Sequence, residues 1–215
     1  MDINKARSLI VATTKRLSNV TVDILVRQIG EELSKTPELV EELFLRQDVH
    51  GPRDRPVFRG LKSGVEATLK HSFEVWALDE DHIADSESDA SAAHPTMRWH
   101  HQIHVGSEAV AYARSMTDGP GETAWSVQQL TRSPLAKAVD SAISLIDEND
   151  ETASETRLLT VPSVGVDALW LHSDSDDRVV VVRGRPPMIE NRFYSWRDFV
   201  RMLMVLEKGH GLTLD

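Results

Sequence analysis

The spacing of apolar residues changes along this chain, and that change restricts its fold more than any other feature. Over the first 49 residues, apolar side chains recur every three or four positions, as they do on one face of a helix. From Thr96 to Gln129 they alternate with polar ones, which is typical of a half-buried strand. Strands and helices do not alternate regularly, so a doubly wound parallel sheet is not expected. The pattern predicts an α+β fold with a mainly antiparallel sheet packed with helices.

The N-terminal segment, residues 1–49, is predicted to be a helical subdomain of three short helices. Its third helix begins at Thr36-Pro37, because proline is well accommodated at the first helical position. Residues 50–56, with the sequence HGPRDRP, contain one glycine and two prolines and therefore predict a connection between elements. The domain boundary is expected there, followed by an α+β body over residues 57–209.

The body is predicted to contain two groups of strands, each followed by a helix. The segment Thr96–Gln129 predicts an antiparallel meander, and a helix follows Ser133, which is a favourable N-cap residue. Residues 158–183 predict further strands, and the last helix is expected after Ser195. The run Val179–Val182 is apolar on both faces of a strand, which indicates a covered sheet.

Two stretches of the body are harder to assign from pattern. Residues 107–116 fit either the second strand of the meander or the start of a helix. Residues 79–95 are acidic and contain few apolar side chains, so an exposed loop is predicted there.

Composition narrows the classes of function. The formal net charge of −10 argues against nucleic acid and against an anionic membrane surface, since lysine and arginine supply most of the affinity for phosphate. The absence of cysteine excludes disulfides and thiolate nucleophiles. No stretch approaches the roughly 18 apolar residues that a membrane helix needs, and the first residues do not resemble a signal peptide. We therefore expect a soluble cytoplasmic protein whose partner is another protein.

One cluster of histidines is the candidate site for chemistry. If the chain is an enzyme, His100, His101 and His104 are the candidate catalytic residues, with Asp81 as the nearby acid. On a helix, His100 and His104 would converge and could hold zinc for a metal-assisted hydrolase. On a strand the two lie about 13 Å apart, and His101 points to the opposite face. Since a strand is favoured here, neither a metal nor another cofactor is predicted.

Catalytic motifs that can be recognised locally are missing from the sequence. It contains no G-x-S-x-G nucleophile turn, no Walker A loop and no H-E-x-x-H helix. The leading interpretation is a non-catalytic protein-interaction or regulatory module with an unknown partner. The metal-assisted hydrolase is one alternative, and a small-ligand sensor with a pocket between sheet and helices is the other.

If the histidine cluster holds no structural metal, a chelator should leave the folded protein unchanged. The reason is that the binding free energy of a structural metal is also folding free energy, so its removal lowers stability. We expect the same melting temperature for the full chain with and without EDTA. Stoichiometric zinc, manganese or iron in the purified protein that is lost when His100 and His104 are replaced by alanine would contradict this expectation.

Overall fold

The computed structural model describes the strands and helices of most of the chain. It covers residues 19–35, 67–83, 89–105, 108–117, 125–131, 133–149, 153–174 and 176–210. The helices in these ranges are α1 (Asn19–Lys35), α2 (Glu80–Ile83), α3 (Pro134–Glu148) and α4 (Trp196–His210). The strands are β1 (Ala67–Ala77), β2 (His94–Val105), β3 (Glu108–Thr117), β4 (Trp125–Thr131), β5 (Glu155–Val161), β6 (Val166–His172), β7 (Arg178–Arg183) and β8 (Phe193–Ser195). None of the described helices is long and apolar enough to cross a membrane.

The described strands form one eight-stranded mixed sheet in the order β4-β3-β2-β1-β5-β6-β7-β8. Strands β1 and β5 are parallel, with Val75 opposite Leu158. The pairs β2–β3 and β3–β4 are antiparallel, as are β5–β6, β6–β7 and β7–β8. Local hairpins are visible in a sequence pattern, whereas the pairing of β1 with β5 joins distant parts of the chain and leaves no local signal.

The predicted arrangement of a helical subdomain followed by a mainly antiparallel sheet is wrong. The finding that overturns it is the large mixed sheet, against which the one described N-terminal helix packs. Leu25 of α1 is fully buried and contacts Trp99 of β2 and Trp125 of β4. An apolar stripe shows that one face of a helix must be buried, but it does not show whether a helix or a sheet covers it.

The chain divides into two compact units. The described residues within Arg16–Phe73 and Met97–Lys137 form one, called here the histidine unit. Those within Glu74–Thr96 and Ala138–Asp215 form the other, called here the C-terminal unit. The predicted connection at residues 50–56 lies outside the described residues, so the boundary between 1–49 and 57–209 stays a prediction.

Several local predictions for the body are confirmed. The meander is present, and the described part of the ambiguous stretch, residues 108–116, lies in strand β3. Helix α3 follows Ser133, whose Oγ accepts a hydrogen bond of 3.2 Å from the backbone N–H of Leu135. The acidic stretch 79–95, for which an exposed loop was predicted, is not among these confirmed predictions: its described residues form the short helix α2, a 3-10 turn and the start of β2.

The core of the C-terminal unit lies between its strands and helix α4. Ser195 caps this helix: its Oγ accepts a hydrogen bond of 3.2 Å from the N–H of Asp198 and donates one of 2.9 Å to the Asp198 carboxylate. The buried face of α4 then packs into an apolar cluster with β6 and β7, as the run of valines predicts. The fully buried helix residues are Phe199, Val200 and Leu203.

Replacement of Leu203 by alanine should lower the free energy of unfolding by about 2–5 kcal/mol, the usual range for a buried leucine. The leucine side chain is 0% exposed in the cluster, so its removal leaves a cavity. Urea unfolding of the two proteins measures the difference. The matched control is Val205→Ala on the same helix, where the side chain is 56% exposed and a change within about 0.5 kcal/mol is expected. Equal effects at the two positions would contradict the packing of α4.

Candidate functional site

Strand β2 carries polar side chains that are removed from water on both of its faces. His100, His101, Gln102 and His104 are all 0% exposed. The strand lies between β1 and β3 in the sheet. Burial of a polar group is unfavourable unless it finds a partner, so each of these side chains needs a structural or functional explanation.

His101 lies between two serine hydroxyls. Its Nδ1 is 2.9 Å from the Oγ of Ser72 on β1, and its Nε2 is 2.6 Å from the Oγ of Ser115 on β3. Burial lowers the pKa of His101 to about 3, so its ring is neutral at pH 7. A neutral imidazole has one donor and one acceptor nitrogen, so one serine donates to the ring and the other accepts from it. Both polar atoms of this ring are therefore satisfied within the sheet.

His100 points to the other face of β2 and has a different environment. Its ring stacks on Tyr112 of β3, with centroids 4.6 Å apart and planes inclined by 26°. Burial is the main cause that lowers its pKa to about 3, and repulsion from His101 in its protonated form and from the Arg114 cation acts in the same direction. Neither ring nitrogen of His100 has a hydrogen-bond partner among the described residues. This histidine is neutral, buried and unsatisfied.

Three further side chains share this face with His100. In the β2–β3 register, His100 is opposite Arg114 and Gln102 is opposite Tyr112. The Gln102 amide donates a hydrogen bond of 3.1 Å from Nε2 to the carbonyl of Ala136 on α3, while its Oε1 is buried without a partner. Directly opposite side chains lie about 5 Å apart and alternate ones along a strand about 7 Å apart. We call this set of four, His100, Gln102, Tyr112 and Arg114, the histidine block.

The structure separates the candidate catalytic residues from one another. His100 and His101 lie on opposite faces of β2, and His104 lies near His71 of β1, with ring centroids 6.2 Å apart. Asp81 is exposed on α2 in the C-terminal unit. Within the described ranges, no three His, Asp or Glu side chains come together as a possible metal site. The metal-assisted hydrolase stays an untested hypothesis.

Sequence reasoning missed the neighbours that define the environment of each histidine. Ser72 and Ser115 reach His101 from separate strands, and Tyr112 and Arg114 reach His100 from β3. Tyr112 and Arg114 alternate along β3, so their common face was visible in the sequence. Their position opposite β2 depends on the strand register, which alternation alone does not specify.

The C-terminal unit contains a second polar cluster, which differs from the histidine block in that its cation has its partners within the structure. The guanidinium of Arg157 lies 3.9 Å from the ring centroid of Trp76 and 4.5 Å from that of Trp170. Its Nε and Nη2 donate hydrogen bonds of 2.9 and 2.6 Å to the carboxylate of Glu155. The nearly buried Arg157 cation contacts the faces of two tryptophan rings and is paired with a carboxylate. No further ligand is needed to account for its burial.

Asp177 closes the loop between β6 and β7 beside this cluster. Its Oδ1 accepts hydrogen bonds from Trp170 Nε1 at 2.9 Å and from the N–H of Ser173 at 3.2 Å. The Nδ1 of His172 lies 2.8 Å from the same oxygen. The backbone carbonyl of Asp177 also accepts a hydrogen bond of 3.0 Å from the N–H of Trp196, the first residue of α4. The arrangement is that of a structural loop anchor.

Comparisons with known proteins add no assignment to this geometry. No protein-family model, curated protein or solved structure matches the chain. Its function therefore has to follow from its own residues.

The buried His100 should make the folded protein less stable at mildly acidic pH. Its pKa is about 3 in the folded chain and about 6.5 when unfolded. Between these values only the unfolded chain holds the proton, so the free energy of unfolding falls as the pH drops through this window. From pH 7 to pH 5 this histidine alone accounts for a loss of about 2 kcal/mol.

The variant His100→Phe tests this contribution by urea unfolding at the two pH values. Phenylalanine keeps the stacking on Tyr112 but cannot bind a proton. The loss between pH 7 and pH 5 should be about 2 kcal/mol smaller than in the wild type. The control Tyr112→Phe changes the stacked partner and keeps the histidine, so it should retain the full loss. The same pH dependence in wild type and His100→Phe would show that His100 is accessible to protons in the folded state.

Proposed function

We propose that this chain is a non-catalytic protein-interaction module that binds an extended segment of a partner protein along strand β4. The proposal starts from the position of β4 at the end of the described strand order. An edge strand presents backbone N–H and C=O groups that can pair with another chain. Natural edges are usually protected by charged residues, proline or bulges. Strand β4, with the sequence WSVQQLT, has no charge and no proline, and its pairing with β3 has one register shift, at Gln128.

The observation that carries the proposal is the way Gln28 of α1 contacts this edge. Its Nε2 donates a hydrogen bond of 2.8 Å to the carbonyl of Trp125, and its Oε1 accepts one of 3.0 Å from the N–H of Val127. In a parallel sheet, one residue of a neighbouring strand makes the same two bonds to the residues before and after its partner. The side-chain amide of Gln28 thus occupies the position of a peptide group paired with Ser126.

The rest of the edge supports binding of an extended segment. Gln128 and Gln129 are exposed, and no other described strand pairs with this side of β4. A partner segment that runs parallel to β4 could pair with the strand at Gln128 and Gln129. Further along β4 it could replace the Gln28 amide at Trp125 and Val127. This is β-augmentation, in which main-chain hydrogen bonds supply affinity and side-chain pockets supply specificity. Because the chain has a net charge of −10, like-charge repulsion disfavours an acidic segment.

The variant Gln28→Ala is expected to loosen this edge. It removes two hydrogen bonds, each worth about 1 kcal/mol net, so the free energy of unfolding should fall by about 1–3 kcal/mol. The freed edge should also increase self-association, measured by sedimentation velocity. Glu31→Ala is the matched control, because Glu31 is an exposed residue of the same helix, and it should change neither property. Unchanged stability in Gln28→Ala would contradict the role of Gln28 at the edge.

Binding itself is tested with the full chain and a displayed library of random dodecapeptides. Selected peptides should bind the wild type, bind Gln28→Ala at least threefold more tightly, and lose binding in Val127→Pro. Proline removes the N–H that Gln28 contacts on the outer side of β4. In Gln28→Ala, where the Val127 N–H has lost its side-chain acceptor, amide hydrogen exchange should show new protection of Val127 when the peptide is bound.

Two results would reject this function. One is a library that yields no peptide specific for the folded chain. The other is a set of peptides whose affinity is the same for wild type, Gln28→Ala and Val127→Pro, since such peptides bind elsewhere. Circular dichroism of each variant shows whether it is folded, and a second edge variant, N-methylated at Val127 by semisynthesis, replaces Val127→Pro if that protein does not fold.

A further inference from the structure

The histidine block contains polar atoms whose lack of partners calls for an explanation independent of the β4 edge. Both nitrogens of His100, the Oε1 of Gln102 and the Nε of Arg114 are buried without a hydrogen-bond partner in the described structure. A buried polar atom that lacks a partner destabilises a fold by about 1–3 kcal/mol. Four such atoms on neighbouring residues of one sheet face indicate that something absent from the isolated chain satisfies them.

Arg114 identifies the charge of the missing group. Its guanidinium lies 5.4 Å from the ring centroid of Tyr112, and none of the ion pairs between described residues includes Arg114. Two arginines of the C-terminal unit show the contrast. Arg157 is paired with Glu155 at 2.6 Å, and Arg183 is paired with Asp167 at 2.6 Å. Arg114 is half-buried, and no ion pair for it is found within the part of the chain that the structure describes.

The uncharged side chains of the histidine block indicate which hydrogen-bonding groups the missing molecule carries. The free Oε1 of Gln102 can only accept a hydrogen bond, so its partner must carry an N–H or O–H group. Neutral His100 offers one donor and one acceptor nitrogen. Opposite side chains of two paired strands lie about 5 Å apart, and alternate ones along a strand about 7 Å apart. Polar atoms at such spacings can be contacted together by a molecule of a few heavy atoms.

We propose that the histidine block binds a small carboxylic acid that also carries a hydroxyl or amino group. The carboxylate pairs with Arg114, whose planar fork matches the two carboxylate oxygens. The hydroxyl or amino group donates to Gln102 Oε1, and His100 hydrogen-bonds the ligand from its place opposite Arg114. The ligand thereby supplies the counter-ion and the partners that the sheet itself does not provide. This site is separate from the Gln28 contact on β4.

The site is tested by titrating the full chain with lactate and alanine, and with acetate and lactamide as matched compounds. Calorimetry gives the affinity, and nitrogen NMR of the histidine rings reports on His100. Lactate or alanine should bind and shift the His100 ring signals. Acetate lacks the donor group and lactamide lacks the charge, so each should bind at least tenfold more weakly.

Three variants separate this site from nonspecific binding. Arg114→Gln should weaken binding of the acid at least tenfold, and Gln102→Leu should remove the preference for lactate over acetate. Arg98→Gln is the control, because Arg98 lies on the neighbouring strand β2, is exposed, and carries the same charge; binding should be retained. If Arg114→Gln does not fold, Arg114→Lys keeps the charge without the planar fork and should still weaken binding severalfold.

The proposal is overturned if neither lactate nor alanine binds at millimolar concentration, since ordered water would then suffice to satisfy His100. It is also overturned if Arg114→Gln and Arg98→Gln weaken binding equally, because the acid would then respond only to overall charge. Neither outcome affects the peptide experiment on β4, which uses different residues and a different probe.

Discussion

The burial of β2 on both faces is the constraint on which the histidine unit depends. A strand covered on both sides normally carries apolar residues, yet this one places three histidines and a glutamine out of water. Desolvation keeps His100 and His101 neutral, and each neutral ring then needs one donor and one acceptor. The serines of β1 and β3 supply both for His101, whereas β3 offers His100 only an aromatic ring and a cation. The same physical requirement thus produces a satisfied structural histidine on one face and an unsatisfied one on the other.

The polar cluster around Arg157 and Asp177 in the C-terminal unit satisfies its buried groups with residues of the same unit. Arg157 lies between two tryptophans and is neutralised by Glu155, and Asp177 accepts hydrogen bonds from Trp170 and a backbone amide. These contacts join β5 and β6 to the start of α4. A buried charge with its partner present is costly to break and gives the fold a specific arrangement. The contrast with Arg114 is what makes the histidine block the better candidate for a ligand.

The edge strand β4 and the histidine block place two kinds of recognition on the histidine unit. One uses backbone groups at the edge of the sheet, and the other uses side chains on its face. Helix α1 contacts the edge through two kinds of side chain. Leu25 anchors the helix to Trp99 and Trp125, and Gln28 completes part of the β4 edge. An anchored helix with one polar side chain on the edge can release that side chain without leaving the sheet, because the apolar contacts are separate from the two hydrogen bonds.

The sequence by itself determined the local elements: the alternation from Thr96, the capped helices after Ser133 and Ser195, and the faces on which His100 and His101 lie. These features depend on the period of the pattern and on side chains next to one another, so they can be read without tertiary contacts. Only the tertiary structure decided that β1 pairs in parallel with β5, that α1 packs on the strands β2 and β4, and which residues surround each histidine. The physical reason is that register and long-range pairing depend on how whole faces fit together, and one alternating pattern is compatible with many partners. Asp81 and the histidines are close in sequence, but the chain places them on different elements, and no local pattern carries that information.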